Sequence, residues 1–247
     1  MPNGLFSELS GSTELPLVVL IHGSLDRSAG MLKMARYLQS DFSILRYDRR
    51  GYGKSGDHKG PFSVADQADD LSHLLDGRPA VLFGHSYGGN VALATAERLG
   101  SQIRGVSTYE TPLSWMTWWP GTTAGAIGIA AGEASAAESF MIRLIGQRRW
   151  DALPERTKDE RRREGPALVG ELGALRQHAP WRPDNIKCRV VCGYGSKGLE
   201  HHQMGARWLA DNLSDTSLAC IADAGHSAPM SHPKECVETL VLPHFEG

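Results

Sequence analysis

Residues 80 to 89 read Ala80-Val81-Leu82-Phe83-Gly84-His85-Ser86-Tyr87-Gly88-Gly89, and this stretch decides the fold. The apolar run Ala80–Phe83 is typical of a buried strand, and the residues after Gly89 carry apolar side chains at helical spacing. The glycines on either side of Ser86 remove side chains that would clash in a very tight turn. The pattern predicts a strand, a sharp turn with Ser86 in a strained backbone conformation, and a helix whose N-terminal amides point at the serine.

The rest of the chain repeats this alternation of short apolar runs and longer amphipathic segments. The apolar runs predict strands at Leu17–Ile21, Ser43–Arg46, Ala80–Phe83, Ile103–Thr108, Arg189–Cys192 and Ser217–Ile221. Apolar residues three and four apart predict helices at Ala29–Leu38, Val64–Leu75, Asn90–Leu99, His202–Leu213 and Lys234–Leu242. This order indicates an α/β protein with a mostly parallel central sheet flanked by helices. Leu5–Leu9 predicts an added antiparallel hairpin at the sheet edge.

The alternation stops after Thr111 and resumes near Arg182. No apolar run in this interval predicts a strand, and Ala, Gly, Glu and Arg are frequent in it. We therefore predict a helical cap, residues 111–182, inserted into a core formed by residues 1–110 and 183–247. The charged segment Arg148–Arg176 carries both signs, which is typical of a solvated helix face.

Length and composition limit the classes of function. The chain has 247 residues, of which 41% are hydrophobic and 22% charged, and its formal net charge is −2. This composition supports one large folded domain and offers no overall field for nucleic acid or anionic membranes. The sequence contains no apolar run near the ~20 residues of a spanning helix, and its four cysteines form no Cys-X-X-Cys pair. We expect a cytoplasmic protein with reduced, buried thiols and a small-molecule substrate, without a nucleic-acid or membrane partner.

A serine hydroxyl becomes a good nucleophile only when a base accepts its proton. His226 follows the predicted strand Ser217–Ile221 through a short loop, and parallel strands all end at one edge of a sheet. We therefore expect His226 near Ser86, as its base. His85 is expected to point away from the site, and His232, before a proline, to begin a helix.

Together with His22-Gly23-Ser24 and the loop Tyr47–Ser55, the segments around Ser86 and His226 resemble the α/β-hydrolase fold family, and the match extends over nearly the whole chain outside the insertion. In that family the His-Gly turn and the residue after the nucleophile supply the oxyanion-hole amides. The resemblance thus implies the backbone NH groups of Ser24 and Tyr87 for this role. We interpret the Tyr47–Ser55 loop as scaffold, with Asp48 and Arg49 tying loops together rather than touching substrate.

The third catalytic residue departs from the common family pattern. Ser196 occupies the position after Gly193-Tyr194-Gly195 where an Asp is usual, and a neutral serine cannot stabilise an imidazolium. Some family members carry the acid after the preceding strand, which implies Glu110 here. Glu200 and Asp223 remain the alternative acids.

The insertion resembles the lid of this family, which lines the substrate pocket. We expect Trp115, Trp118 and Trp119, together with His22, to line that pocket, although the tryptophans are equally well explained by packing of the lid onto the core. Adjacent histidines at 201 and 202 are more typical of an exposed helix start than of a zinc site. No metal or organic cofactor is expected.

The resemblance implies a serine hydrolase that cleaves a carboxylic ester of small to medium, partly apolar character through Ser86, His226 and Glu110. Carbon–carbon bond, lactone or amide hydrolysis and perhydrolysis use the same triad and stay open. A ligand-binding or sensory protein that retains the fold is the alternative outside enzymes, and Ser196 is the feature that keeps it open.

Overall fold

The computed structural model describes residues 4–56 and 58–246. Its sheet has seven strands in the order β1-β3-β2-β4-β5-β6-β7. The strands are β1 Ser7–Ser10, β2 Leu17–Ile21, β3 Ser43–Tyr47, β4 Ala80–His85, β5 Ile103–Tyr109, β6 Arg189–Gly195 and β7 Thr216–Ile221. All neighbours pair in parallel except β1, which runs antiparallel to β3. The predicted α/β class with a mostly parallel sheet is confirmed.

The apolar runs form strands because both faces of the sheet are covered. Every residue of β2 is buried. Leu17, Val19 and Ile21 belong to the hydrophobic cluster on one face, and Val18 and Leu20 belong to the cluster on the other. Successive side chains of a strand point to opposite faces, so a strand buried on both sides needs a continuous apolar run.

The edge prediction is correct for the antiparallel strand and wrong for the hairpin. β1 pairs with β3, with Ser7 opposite Tyr47, rather than with β2, the strand that follows it in sequence. The predicted segment Leu5–Leu9 also begins too early, because Leu5 is a buried core residue that precedes β1.

Helices flank the sheet on both faces. They are α1 Leu32–Leu38, α2 Val64–Leu75, α3 Tyr87–Leu99, α4 Ala124–Ala130, α5 Glu133–Ile145, α6 Gln147–Asp151, α7 Glu155–Arg163, α8 Gly165–Gln177, α9 Glu200–Asn212, α10 Ala228–Ser231 and α11 Pro233–Cys236. Lys234–Leu242 was predicted as one helix; α11 instead passes into a π-helical turn, Val237–Val241. The carbonyl of Leu240 in that turn accepts a hydrogen bond from Ser107 of β5 (2.7 Å).

The helices α4 to α8 all lie between β5 and β6, which confirms the predicted helical insertion. The insertion joins the core through α8, whose Leu168, Leu172 and Leu175 belong to the cluster that also contains β2 and α3. The domain boundaries at residues 110 and 183 stay a prediction. Within the described residues, no helix combines the length and hydropathy needed to cross a bilayer. All four cysteines are free thiols; Cys192 and Cys236 are buried as expected, whereas Cys220 is exposed.

Candidate active site

Ser86 lies at the junction of β4 and α3. Its backbone has φ 53° and ψ −125°, a region that side chains disfavour, and its NH donates to the carbonyl of Tyr109 (2.8 Å). A Cβ on Gly84 would collide with the backbone of Gly88, and a Cβ on Gly88 would lie 2.5 Å from the carbonyl oxygen of Ile21. The close approach of strand, turn and helix therefore requires glycine at both positions.

The two amides predicted for the oxyanion hole flank this turn. Tyr87 is the first residue of α3, so its NH has no acceptor within the helix. Ser24 follows the His22-Gly23 turn after β2 and lines the same cavity as Ser86. A Cβ on Gly23 would lie 3.0 Å from the Cβ of Ser86, so the turn passes close to the nucleophile.

Glu110 and His226 are in direct contact. Glu110 follows β5 with φ 47°, and its side chain has no exposed surface. Its Oε2 accepts a hydrogen bond from Nδ1 of His226 (2.7 Å), and its Oε1 accepts one from the NH of Gly195 (3.1 Å). An ionised carboxylate only accepts, so Nδ1 of His226 carries the proton and Nε2 carries the lone pair that a base needs.

The two alternative acids, Asp223 and Glu200, are exposed and are not hydrogen-bonded to His226 within the described residues. Asp223 is exposed and pairs with Lys197 (2.9 Å), and Glu200 is exposed at the start of α9. Ser196, at the usual acid position, accepts a hydrogen bond from the NH of Asp223 (2.8 Å). The hydrogen bonds of the described residues do not include one between Ser86 Oγ and His226 Nε2. Both residues line one cavity, and such bonds often tighten only when substrate binds.

His202 is the site residue that the sequence did not reveal. Its Nδ1 donates to the same Oε2 of Glu110 (2.9 Å), and its ring stacks on His226 with centroids 4.5 Å apart. Its side chain is only 12% exposed, so the expectation of an exposed helix start is wrong for this residue. Donor atoms of Glu110, His202 and His226 lie within 4.8 Å of one another, close enough to hold a metal ion, but hydrogen bonds already engage them.

This cluster keeps Glu110 charged and its histidines neutral. Burial opposes ionisation of Glu110, but hydrogen bonds from His202 and His226 outweigh burial and hold its pKa well below the ordinary value. Burial lowers the pKa of His226, and a charge on His202 would lower it further, against the opposing effect of Glu110. Burial likewise lowers the pKa of His202.

His85 does not point away from the site, contrary to the expectation from the sequence. Its Nε2 donates to the carbonyl of His226 (2.8 Å), and the two ring centroids are 4.8 Å apart. Burial, reinforced by repulsion from a charged His226, lowers the pKa of His85 to about 4. A neutral His85 therefore supports the loop that carries His226.

A cavity of about 530 Å³ opens onto Ser86 and His226, within the range of small-ligand sites. It is lined by Ser24, Ser86, Pro112, Ser114, Trp119, Pro120, Thr122, Thr123, Ala124, Gly125, Phe140, Arg143, Leu144, Leu172, Arg176, Leu199, His201, His202 and His226. Of the predicted tryptophans, Trp119 is among them. Trp115 packs edge to face against Trp181 (5.6 Å), and Trp118 packs against Trp119 (5.8 Å).

His22 does not line this cavity, which corrects the expectation for it. The residue is completely buried. Its Nδ1 donates to the carbonyl of Gly23 (2.8 Å), and its Nε2 accepts from the NH of Arg49 (2.9 Å). Burial, followed by the charge of Arg49, lowers its pKa, in accord with a neutral ring that shapes the turn before Ser24. Asp48 and Arg49 tie loops together, as expected.

Two sequence relatives have different coverage. An uncharacterized protein of Mycobacterium tuberculosis is 34% identical over 84 residues, which are 33% of this chain and 25% of that protein. The chain thus spans about a quarter of the length of the mycobacterial relatives that it matches. The pimeloyl-[acyl-carrier protein] methyl ester esterase of Aromatoleum aromaticum is 27% identical over 249 aligned positions, which cover 90% of this chain and 95% of that enzyme.

The structural and family comparisons cover nearly the whole chain. A crystal structure of a hydrolase from Pseudomonas aeruginosa PA01 superposes with a TM-score of 0.79 at 21% identity, covering 98% of this chain and 94% of that chain. Likeness at this identity shows the fold. The model of the Alpha/beta hydrolase family matches residues 18–239. The chain therefore belongs to the alpha/beta hydrolase family.

Proposed function

We propose that this protein is a serine hydrolase that transfers the acyl group of a small to medium carboxylic ester to water. The observation that carries the proposal is the hydrogen bond from His226 Nδ1 to the buried Glu110, in a cavity that Ser86 also lines. A base with its lone pair on Nε2, an ionised acid and a serine at a strained turn are the components of acyl transfer.

Catalysis proceeds in two halves. Ser86 Oγ attacks the ester carbonyl carbon while His226 Nε2 takes its proton, and the backbone NH groups of Ser24 and Tyr87 stabilise the oxyanion. His226 then gives the proton to the leaving alcohol, and the acyl-enzyme forms. In the second half, water attacks that ester with His226 again as base, and the carboxylic acid leaves as Ser86 regains its proton.

An ester is the favoured substrate class because the Aromatoleum relative, which aligns with 90% of this chain, is named for a methyl ester. The cavity lining is largely apolar, with Phe140, Leu144 and Leu172 on the lid side, which suits an apolar portion of the substrate. Glu110 provides the carboxylate that Ser196 cannot. Ser196 at the usual acid position is therefore no longer an argument for a binding protein without activity.

Labelling with a fluorophosphonate probe tests the proposal. We expect the wild-type protein to be labelled, because the probe phosphonylates a serine only when a base activates it. Ser86→Ala should abolish labelling, whereas Ser114→Ala, which removes another hydroxyl from the same cavity, should keep it. Labelling is read by intact mass, and folding is checked by circular dichroism. A folded wild-type protein that resists the probe would favour the binding-protein alternative.

The pH dependence of ester hydrolysis tests the role of His226. Only the neutral imidazole accepts the serine proton, so activity falls as pH drops through the pKa of His226. Because burial lowers that pKa, we expect the acid limb of kcat/KM to have its midpoint below pH 6.5. At pH values low enough to protonate His202, its charge opposes protonation of His226; His202→Gln removes this repulsion and part of the burial, so the midpoint should move to higher pH.

The exposed His178 supplies the control, since His178→Gln should leave the midpoint unchanged. The profile is measured with a short p-nitrophenyl ester at constant ionic strength. A flat acid limb, or a midpoint that moves to lower pH in His202→Gln, would contradict the role given to His226.

A further inference from the structure

The charged groups of the catalytic cavity all have one sign. Arg143 of α5 and Arg176 of α8 line it, and no aspartate or glutamate is among its lining residues in the described part of the chain. The histidines of the cavity have lowered pKa values and are neutral at neutral pH. The lid therefore places two cations in the space that holds Ser86, and the described lining residues offer them no carboxylate.

Arg176 is held in place but is not neutralised. Its Nη2 donates to the hydroxyl of Thr123 (3.0 Å), and its Nε is buried without an acceptor. No carboxylate of the described residues pairs with it, and burial alone accounts for the lowering of its pKa. Among the described residues, Nη1 of Arg176 has no hydrogen-bond partner, and it is not one of the buried unpartnered atoms, so it is the donor left for a ligand.

Arg143 is the second arginine of the cavity lining and is more exposed to solvent. Its side chain is exposed, and its Nε makes only a long hydrogen bond to the carbonyl of Thr122 (3.4 Å). Thr122 and Thr123 are neighbours in sequence and both line the cavity, so the two arginines contact the same short segment of the lid. Leu172 and Phe140 also line the cavity.

We propose that the substrate carries a free carboxylate at the end remote from the ester, and that Arg176, assisted by Arg143, binds this carboxylate. The inference rests on the proposed ester hydrolysis at Ser86 and names the substrate class for it. A guanidinium forms its strongest hydrogen bonds with carboxylates, and a partly desolvated one gains more from such a partner than a surface arginine does. The apolar lining accommodates the short chain that separates carboxylate and ester.

Two esters of similar size test the proposal. Monomethyl glutarate carries the carboxylate, and methyl valerate replaces it with a methyl group. We expect the wild-type enzyme to favour monomethyl glutarate in kcat/KM by about 10- to 100-fold, the range that a charge-assisted hydrogen bond supplies. In Arg176→Gln the ratio should fall close to one, and in Arg176→Lys it should be intermediate.

Arg148→Gln, which changes an exposed arginine outside the cavity, should leave the ratio at the wild-type value. Thermal unfolding confirms that each variant is folded. A wild-type enzyme that hydrolyses both esters equally well, or a ratio that Arg176→Gln does not change, would overturn the carboxylate site while ester hydrolysis stands.

A binding experiment tests the carboxylate site independently of ester hydrolysis. Calorimetric titration of Ser86→Ala with glutarate should show binding that Arg176→Gln in the same background weakens by at least about tenfold. If this holds but the wild-type enzyme cleaves no ester, the proposed function fails and the carboxylate site stands. Inorganic phosphate is titrated in parallel, and phosphate binding that is tighter than glutarate binding and depends on Arg176 would overturn the assignment to a carboxylate.

Discussion

Glu110→Gln should lower kcat for a short ester by about 10⁴-fold while the protein stays folded, on the precedent of the same substitution type in a serine protease triad. In the proposed mechanism the carboxylate, which accepts a hydrogen bond from Nδ1 of His226, keeps the proton there and stabilises the imidazolium that forms when Ser86 is deprotonated. An amide keeps the size and one acceptor but has no charge, and it can donate to Nδ1 and so stabilise the wrong tautomer. KM should change far less than kcat, because Glu110 is buried and does not line the cavity.

The alternative acids provide matched controls. Glu200→Gln and Asp223→Asn make the same change in exposed side chains, so both should retain near wild-type kcat. Steady-state kinetics with a p-nitrophenyl ester measures all three variants, and denaturant unfolding verifies their folds. Near-normal turnover in Glu110→Gln, together with a collapse in one of the other two, would assign the acid elsewhere.

Elements and residues whose positions depend on neighbouring sequence could be predicted. Strand, turn and helix around Ser86 follow from ten consecutive residues. The place of His226 near Ser86 follows from its position after a strand, because the ends of parallel strands share one edge. Glu110 was implied by the family resemblance, and the residues alone left Glu200 and Asp223 open. His202 could not be found in this way. It lies in the first turn of a helix, and only the packing of α9 against β6 brings it to Glu110, 92 residues earlier in the chain.

The same limit explains the corrections at His22 and His85. A histidine next to a predicted turn has the same local pattern whether it faces the cavity or the core. The orientation of each ring is set by a partner distant in sequence, which is Arg49 for His22 and the loop of His226 for His85. Neighbouring residues do not reveal these partners. For the lid, composition predicted helices, but which tryptophan reaches the cavity depends on how those helices pack.

A buried ion pair connects the lid to the turn that carries Ser24, a proposed donor to the oxyanion. Glu171 of α8 and Arg49 after β3 are both without exposed surface, and Oε2 of Glu171 lies 2.6 Å from Nη1 of Arg49. Oε1 of Glu171 accepts hydrogen bonds from the hydroxyls of Ser24 (2.5 Å) and Tyr52 (2.6 Å). Burial opposes the charge of Arg49, but Glu171 outweighs it and raises the pKa of Arg49 above its ordinary value.

Glu171→Gln should therefore destabilise the protein by about 3 to 5 kcal/mol in the free energy of unfolding at neutral pH. The substitution keeps the shape of the side chain but leaves the charge of Arg49 buried and unbalanced. Glu160→Gln, which removes a more exposed acid that pairs with Arg27 and Arg156, should change the free energy of unfolding far less, because water screens those pairs. Urea denaturation measures the free energy of unfolding of both variants, and the comparison requires that their m-values are equal.

Removing the cation as well distinguishes charge from packing. In Arg49→Met/Glu171→Gln no buried charge is left unbalanced, so the double variant should be less destabilised than the sum of the single variants by more than about 0.5 kcal/mol. Additivity within that limit, or a Glu171→Gln variant within about 1 kcal/mol of the wild type, would contradict a stabilising role for the pair.

Glu171→Gln should also lower kcat, because Glu171 holds Ser24 in place. The hydroxyl of Ser24 donates to Glu171, and the backbone NH of Ser24 is the proposed donor to the oxyanion. Weakening this hydrogen bond should displace the NH group. Complete loss of one such donor lowers kcat by about 10²- to 10³-fold. We expect Glu171→Gln to lower kcat within that limit, with a smaller change in KM. Ser24→Ala removes the anchored hydroxyl but keeps the amide and the Arg49–Glu171 pair, so it should lower kcat with little loss of stability. Equal kcat values for Ser24→Ala and the wild type would mean that the anchor stabilises the fold without positioning the amide.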